Sequence, residues 1–149
     1  MVRQIVVGAI VSAVFGIALH ADCVTLTAKE MMSRPGVLIF GGRVVDVQDV
    51  GQGGARWTIE VQRVWKGSVP ARIDIYSSRF GPSEVRPPFW RKGSDAFVLA
   101  ARLSDVKQWR QANGLSESDP SPEYVASGCL DALENNFEAN LGLSHPPKK

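Results

Sequence analysis

The sequence predicts a mainly β protein, a five-stranded Greek-key barrel of the OB type with flanking N-terminal and C-terminal helices. Short segments rich in β-branched residues, either alternating or wholly apolar, recur from residue 37 onward. The first contains the pair Gly41-Gly42, and glycine inside a strand marks a bend or a bulge. The second shifts its apolar phase by one residue at Val64, which a β-bulge absorbs. Strands that bend in this way close small barrels.

Length and composition fit one globular domain. The chain has 149 residues, 44% of them hydrophobic and 21% charged, and its net charge is +2. These proportions are ordinary for a folded domain. So small a net charge does not by itself direct the protein to nucleic acid or to an anionic membrane.

The first 21 residues have the pattern of a secretory signal peptide. A short positive start precedes the apolar run Ile5–Leu19, and small residues follow at Ala18 and Ala21. An uncleaved membrane anchor is the alternative, but fifteen apolar residues span about 22 Å as a helix, less than the roughly 30 Å hydrocarbon core. We therefore expect a secreted or periplasmic protein, cleaved near Ala21 (or after Ala18), without a stable membrane span afterwards.

Export determines how the two cysteines are interpreted. Cys23 and Cys129 lie at opposite ends of the mature domain, and an even pair in an oxidising compartment indicates a disulfide. It would close a loop of roughly 107 residues and contribute about 4–5 kcal/mol in the chain-entropy model. Two free buried thiols are the alternative. No metal or other cofactor is expected, because His20 leaves with the signal and His145 lies in the C-terminal tail.

The N-terminal half of the mature chain contains a helix and a hairpin. Thr27 and Glu30 form a capping-box pattern that predicts a helix over 28–33, ended by Pro35-Gly36. The apolar segment Val37–Val50 is the first predicted strand. The glycine-rich turn at 51–54 then leads into the second strand.

The next three strands follow from their side-chain patterns. Arg56–Val64 alternates, with Trp57, Ile59 and Val61 on one face. Arg72–Ser77 alternates again, with its isoleucines facing inward. Asp95–Leu103 is apolar on both faces, as expected of a central strand.

The C-terminal part is predicted to contain two further helices and the last strand. Asp105–Asn113 has a helical pattern, and the last strand is placed near Tyr124–Cys129. A C-terminal helix follows, ended by Gly142. Its apolar residues at helical spacing are Leu130, Leu133, Phe137 and Leu141. The folded domain is thus predicted over residues 22–143, and 144–149 as a disordered tail.

Few residues in the mature chain are suited to catalysis. His-based triads, cysteine catalysis and His-ligated metals are excluded when the mature body lacks His and both cysteines are paired. Carboxylates remain, namely Asp46 with Asp49 and Asp131 with Glu134. Such surface charges are usually solvated. A carboxylate-dependent hydrolase is therefore an alternative to the preferred interpretation, which is a non-catalytic protein.

The preferred binding surface is the loop over 77–94, in which cations alternate with aromatic residues. The candidate ligand-binding residues are Arg79, Arg86, Phe89, Trp90, Arg91 and Lys92. This combination suits an anionic glycan or a protein partner outside the cytoplasm, and export argues against nucleic acid. Alternatively, Phe89 and Trp90 plug the end of the barrel while the cations keep the loop soluble. Trp57 and Trp65 are expected in the core or at the barrel rim.

Several segments resemble a known family. They are Phe40–Val45, Trp57–Val61 leading into Val64-Trp65-Lys66-Gly67, Trp90–Gly93 before Phe97-Val98-Leu99, and Ser127–Cys129 ahead of a helix ending at Leu141-Gly142. This pattern is similar to the netrin-like, tissue-inhibitor-of-metalloproteinases-like OB domains, including secreted bacterial relatives. The resemblance implies an OB barrel whose N-terminal segment is tied to the last strand by a disulfide, here Cys23 to Cys129.

The same resemblance offers metalloprotease inhibition as an alternative function. The inhibitors of the family chelate the protease zinc with an N-terminal cysteine that belongs to a Cys-x-Cys pair. In this chain Ala21 stands two residues before Cys23, so one cysteine of that pair is absent. The resemblance therefore implies the fold and a binding role.

Overall fold

The computed structural model describes residues 24–51, 54–77, 90–119, 121–127 and 130–149. Five strands form a closed barrel in the order β1-β2-β3-β5-β4. The strands are β1 (Val37–Val50), β2 (Gly54–Lys66), β3 (Arg72–Tyr76), β4 (Asp95–Arg102) and β5 (Tyr124–Ala126). Neighbouring strands are antiparallel except β3 and β5, which are parallel. The predicted mainly β, OB-type barrel is confirmed.

Short helices surround the barrel. They are α1 (Ala28–Ser33), α2 (Val106–Ala112), a 3-10 turn (Leu130–Ala132) and α3 (Phe137–Asn140). Within the described ranges, no helix is both long and apolar enough to cross a lipid bilayer. The predicted signal peptide over 1–21, Cys23 and Cys129 lie outside the described residues.

Bulges coil β1 against β2 as the sequence predicts. Gly41 faces Arg63 while Gly42 faces Val61, so Gln62 is an extra residue on β2. This extra residue accounts for the shift of the apolar phase between Val61 and Val64, because it returns the following side chains to the other face. Glycine is required at position 42, since a β-carbon there would lie 2.2 Å from the backbone oxygen of Glu60.

The interior of the barrel is filled by inward-facing side chains of every strand. The predicted alternation of β2 is confirmed, because Trp57, Ile59 and Val61 are all buried. Full burial of an apolar side chain of this size contributes about 1.5–3 kcal/mol. The other core members are Leu38, Phe40, Val44, Val64, Val69, Ile73, Ile75, Ala96, Val98, Ala100 and Ala126.

The N-terminal segment of the described chain joins the segment that follows β5. Leu26 N donates to Ala132 O at 2.8 Å, and Glu134 N donates to Leu26 O at 2.9 Å. The capping box of α1 is confirmed, since Thr27 Oγ1 accepts from Glu30 N at 3.2 Å and Glu30 Oε2 accepts from Thr27 N at 3.3 Å. These contacts bring the two ends of the domain together on one side of the barrel.

The prediction of one continuous C-terminal helix is wrong. The chain forms the 3-10 turn, pairs through Leu133 with Leu26, and starts α3 only after Asn136, which has a φ of +59°. Pairing with the N-terminal segment takes the backbone groups that a continuous helix would need. Phe137 and Leu141 nevertheless pack in one cluster, and Gly142 ends α3 with a φ of +81°.

The predicted disordered tail over 144–149 is also corrected. Val64 N donates to His145 O and His145 N donates to Val64 O, each at 2.8 Å, and Lys148 N donates to Val69 O at 2.9 Å. The pairing of β2 with β3 ends at Val61 and Ala71. Beyond Val61 the edge of β2 is no longer covered by β3, and the tail pairs with it there, because backbone groups on an open strand edge need partners.

The helix predicted at Asp105–Asn113 is confirmed as α2, with Asp105 as its N-cap and Asn113 as its C-cap. Trp109 is fully buried, donates from Nε1 to Ser77 O at 2.9 Å and meets Tyr76 edge to face at 5.4 Å. The helix thus covers the C-terminal end of β3 at Tyr76, whereas Arg72 and Asp74 are exposed. The last strand is shorter than predicted, since β5 ends at Ala126.

Candidate functional site

The candidate binding loop over 77–94 is described only at its two ends. Ser77 follows β3, and residues 90–94 precede β4. Arg79, Arg86 and Phe89 lie outside the described residues. Trp90, Arg91 and Lys92 are the candidate residues whose positions the structure gives.

Trp90 covers the barrel interior beside β2. Its ring meets that of Trp57 edge to face, with centroids 5.1 Å apart and planes at 75°. Trp57 is 2% exposed, and its Nε1 donates to the backbone oxygen of Trp90 at 3.2 Å. Trp90 is half-buried in this position. Its contacts are those of a plug, which was the alternative that the sequence left open for this residue.

A short turn, Arg91–Ser94, follows Trp90 and is held tightly. Ser94 donates to Arg91 O from its backbone N at 3.0 Å and from Oγ at 2.7 Å. The turn is tied to β1, because Gly93 N donates to Val44 O at 2.7 Å and Val44 N donates to Ser94 O at 2.9 Å. We refer to Arg91–Ser94 as the cationic turn.

Both basic side chains of the cationic turn face solvent. Lys92 Nζ lies 3.8 Å from Asp46 Oδ1, and the Lys92 side chain is 71% exposed. Exposed pairs of this kind contribute about 0–1 kcal/mol. Arg91 is exposed and makes no ion pair with any described residue. The cationic turn therefore presents two cations, on a backbone held by hydrogen bonds, to an anionic ligand.

A polar row continues from the cationic turn along β1 and β2. Gln48 Nε2 donates to Asp46 Oδ2 at 3.1 Å, and an Arg56 Nη donates to Gln48 Oε1 at 2.7 Å. Asp46 therefore already has two partners. Asp49 lies three positions along the strand, which places it on the opposite face from Asp46. The two carboxylates do not form an acid–base pair.

Of the second candidate carboxylate pair, the structure gives the side-chain contacts of Glu134. Glu134 Oε1 accepts from Ala28 N at 2.8 Å and from Asn140 Nδ2 at 3.3 Å, so it joins α1 to the C-terminal segment. The Asp131 side chain lies outside the description. Across the described ranges, no group of three or more His, Cys, Asp or Glu residues is arranged to hold a metal ion.

Lys66 has a role that the sequence did not reveal. Its Nζ donates to Met31 O at 2.7 Å and also to Arg34 O, and these carbonyls lie at the C-terminal end of α1. Burial lowers the pKa of Lys66. Cations near helix C-termini satisfy the last carbonyl groups. No local signal identifies this contact, because the partners are more than thirty residues earlier in the chain.

The segment Val64–Gly67, on which the family resemblance chiefly rested, is structural in this fold. Val64 is fully buried inside the barrel, and Trp65 packs outside it against Phe97 at 5.5 Å between centroids. Both tryptophans expected in the core or at the rim, Trp57 and Trp65, are confirmed as buried.

Comparisons with models of protein families, with curated proteins and with solved structures find no match to this chain. The functional assignment therefore rests on the residues of the site. Of these, the exposed cations on the turn that follows Trp90 are the most suited to a ligand.

Proposed function

We propose that this chain is an exported, non-catalytic binding module of the netrin-like OB type, secreted or periplasmic, whose cationic turn binds anionic groups of a glycan or a protein. The supporting observation is that Arg91 and Lys92 are exposed on a turn whose backbone is hydrogen-bonded to β1. The N-terminal sequence supports export, and the two exposed cations of the turn support an anionic ligand.

A fixed backbone favours binding at this place. Ordering one residue of a flexible loop costs about 1–2 kcal/mol in conformational entropy. The turn is already ordered by its bonds to Val44 and within Arg91–Ser94, so a ligand does not have to order it. Charge-assisted hydrogen bonds from Arg and Lys to carboxylate or sulfate oxygens are shorter and stronger than neutral ones. Trp90 sets the position of the turn on the barrel.

The engagement of the candidate carboxylates supports a role without catalysis. Asp46 is bound by Gln48 and faces Lys92, and Glu134 is bound by Ala28 and Asn140. A general acid or base needs a free position beside the reacting atom. Glu134 instead joins α1 to the C-terminal segment, and Asp46 is engaged by neighbouring polar side chains.

Binding to immobilised dextran sulfate, with neutral dextran as the reference matrix, tests this proposal. Replacing Arg91 and Lys92 by Ala together should weaken binding at least about tenfold, which corresponds to roughly 1.4 kcal/mol. The matched control replaces Lys29 and Lys107, which are exposed on α1 and α2. This control removes the same net charge elsewhere and should change binding less than about threefold. Equal losses in the two variants would show that net charge alone drives binding and would contradict a site at the turn.

A further inference from the structure

One edge of β3 is mostly unpaired in the closed barrel. On one side β3 pairs with β2 along its whole length, from Arg72 to Tyr76. On the other side, among the described residues, the only strand pair is Tyr76 with Val125 of β5. The barrel therefore closes between β3 and β5 at one end of β3, and no other residue of the described ranges pairs with the rest of that edge.

The hydrogen-bond pattern shows which backbone groups point to the open side. Val61 N donates to Ala71 O at 2.8 Å, so residue 71 is a hydrogen-bonded position of the ladder between β2 and β3. Such positions alternate along an antiparallel pair. Ile73 therefore directs its N–H and C=O groups to β2, whereas Arg72 and Asp74 direct theirs away from β2.

A groove of about 430 Å³ lies along this edge. Residues 121–124, which precede and begin β5, form its opposite wall. This wall does not supply a partner strand, because Pro122 has no N–H and the carbonyl of Glu123 accepts from Leu103 N at 2.9 Å. Among the described residues, the backbone groups of Arg72 and Asp74 that point away from β2 thus have no partner strand.

We propose that an extended segment of a partner protein, with an acidic residue opposite Arg72, pairs with the β3 edge at Arg72 and Asp74. An extended backbone offers N–H and C=O groups at the spacing that an open strand edge needs. The charge preference follows from the side chains of this edge. Asp74 Oδ1 already accepts from Thr58 Oγ1 at 2.7 Å, whereas Arg72 makes no ion pair with a described residue.

The surroundings of the edge limit the partner to a short segment. Lys148 pairs with Pro70 at one end of the open stretch, and Tyr76 pairs with Val125 at the other. Charged side chains on a strand edge disfavour indiscriminate pairing between sheets. Glu123 on the opposite wall is paired with Arg102 at 2.7 Å, so Arg72 is the charged side chain of the groove without a partner among the described residues. This site is separate from the cationic turn and does not depend on the function proposed for that turn.

Amide hydrogen exchange of the free protein tests the structural basis of this site. The amides of Arg72 and Asp74 should exchange much faster than those of Ile73 and Ile75, which bond to β2. Equally slow exchange of all four amides would show that the edge is already occupied and would overturn the proposal.

The second test uses a pool of synthetic Thr- and Val-rich hexapeptides that carry either Glu or Lys at one position. A Glu-containing peptide at ten times its Kd should slow the exchange of the Arg72 and Asp74 amides about tenfold. The same peptide with alternate backbone nitrogens methylated keeps its side chains and should lose this protection. Equal protection by the methylated peptide, or no protection by any member of the pool, would overturn pairing at this edge.

Reversal of the charge at Arg72 completes the test without removing a core side chain. Arg72→Glu should reverse the preference, so that Lys-containing peptides give the greater protection at Asp74. The matched control, Lys107→Glu on α2, should leave the preference for Glu-containing peptides unchanged. An unchanged preference in Arg72→Glu would refute the assignment of Arg72 as the residue that selects an acidic segment.

Discussion

The indole N–H of Trp57 donates to the backbone oxygen of Trp90 at 3.2 Å, and the two rings meet edge to face. Trp57 lies inside the barrel, and Trp90 begins the segment that carries the cationic turn. The core of the fold and the proposed binding surface therefore share one contact. Changes at Trp90 should affect both stability and binding, whereas changes at Arg91 should affect binding alone.

Replacing Trp90 by Ala should lower the free energy of unfolding by about 2–4 kcal/mol, because it removes a half-buried aromatic ring and uncovers Trp57. Chemical denaturation measures this change. Trp90→Phe keeps an aromatic ring and should cost less than Trp90→Ala. Arg91→Ala should stay within about 0.5 kcal/mol of the unmodified protein. A Trp90→Ala variant as stable as the unmodified protein would contradict the plug.

The C-terminal tail should contribute measurably to stability. Its three backbone hydrogen bonds to Val64 and Val69 are worth about 0.5–1.5 kcal/mol each. Deleting residues 144–149 should therefore lower the free energy of unfolding by about 2–4 kcal/mol and speed amide exchange at Val64. His145→Ala keeps the backbone bonds and serves as the control, with little expected change. Unaltered exchange at Val64 after deletion would show that the tail does not pair with β2.

Acid should weaken the cap of α1. The side-chain hydrogen bond from Thr27 lowers the pKa of Glu30, so the folded state holds its proton less tightly than the unfolded state. The stabilisation is present at neutral pH and is lost as the pH falls below about 4.5, through the lowered folded-state pKa. Thr27→Ala should thus melt at a lower temperature than the unmodified protein at pH 7, and the difference should narrow toward pH 3. A difference independent of pH would exclude this charge effect.

We expect Cys23 and Cys129 to form a disulfide, because the N-terminal sequence predicts export to an oxidising compartment. Leu26 and Leu133, which follow the two cysteines closely in sequence, are paired in parallel. A bond between the cysteines would lock these segments together and contribute about 4–5 kcal/mol in the chain-entropy model. Mass spectrometry of protein recovered from outside the cytoplasm, alkylated before reduction, should find both thiols blocked from alkylation. Alkylation of both thiols would contradict the pairing.

Local signals in the sequence predicted much of the fold. The capping box at Thr27 and Glu30, the glycine pair and the phase shift at Val64 each act within a few residues, and each feature is present in the structure. The C-terminal segment could not be predicted in this way. Its helical spacing is real, but Leu133 pairs with Leu26, more than one hundred residues earlier.

Contacts between residues far apart in the sequence also explain what the sequence missed at the candidate site. The order of the tail depends on an opening between β2 and β3, and the roles of Lys66 and Trp90 depend on which distant groups the barrel brings near them. The alternation of cations and aromatic residues made residues 90–92 part of the candidate surface. It could not separate the ring that packs on the core from the cations that face solvent.

The most direct test of the proposed function is an NMR titration of the isotope-labelled mature protein with a short dextran sulfate oligosaccharide. We expect the largest saturable shifts at the amides of Arg91–Ser94 and at the Arg91 guanidinium, and we expect the amide shifts to disappear when Arg91 and Lys92 are replaced by Ala. Shifts that centre on α1 or α2, or that persist in this double variant, would contradict binding at the cationic turn.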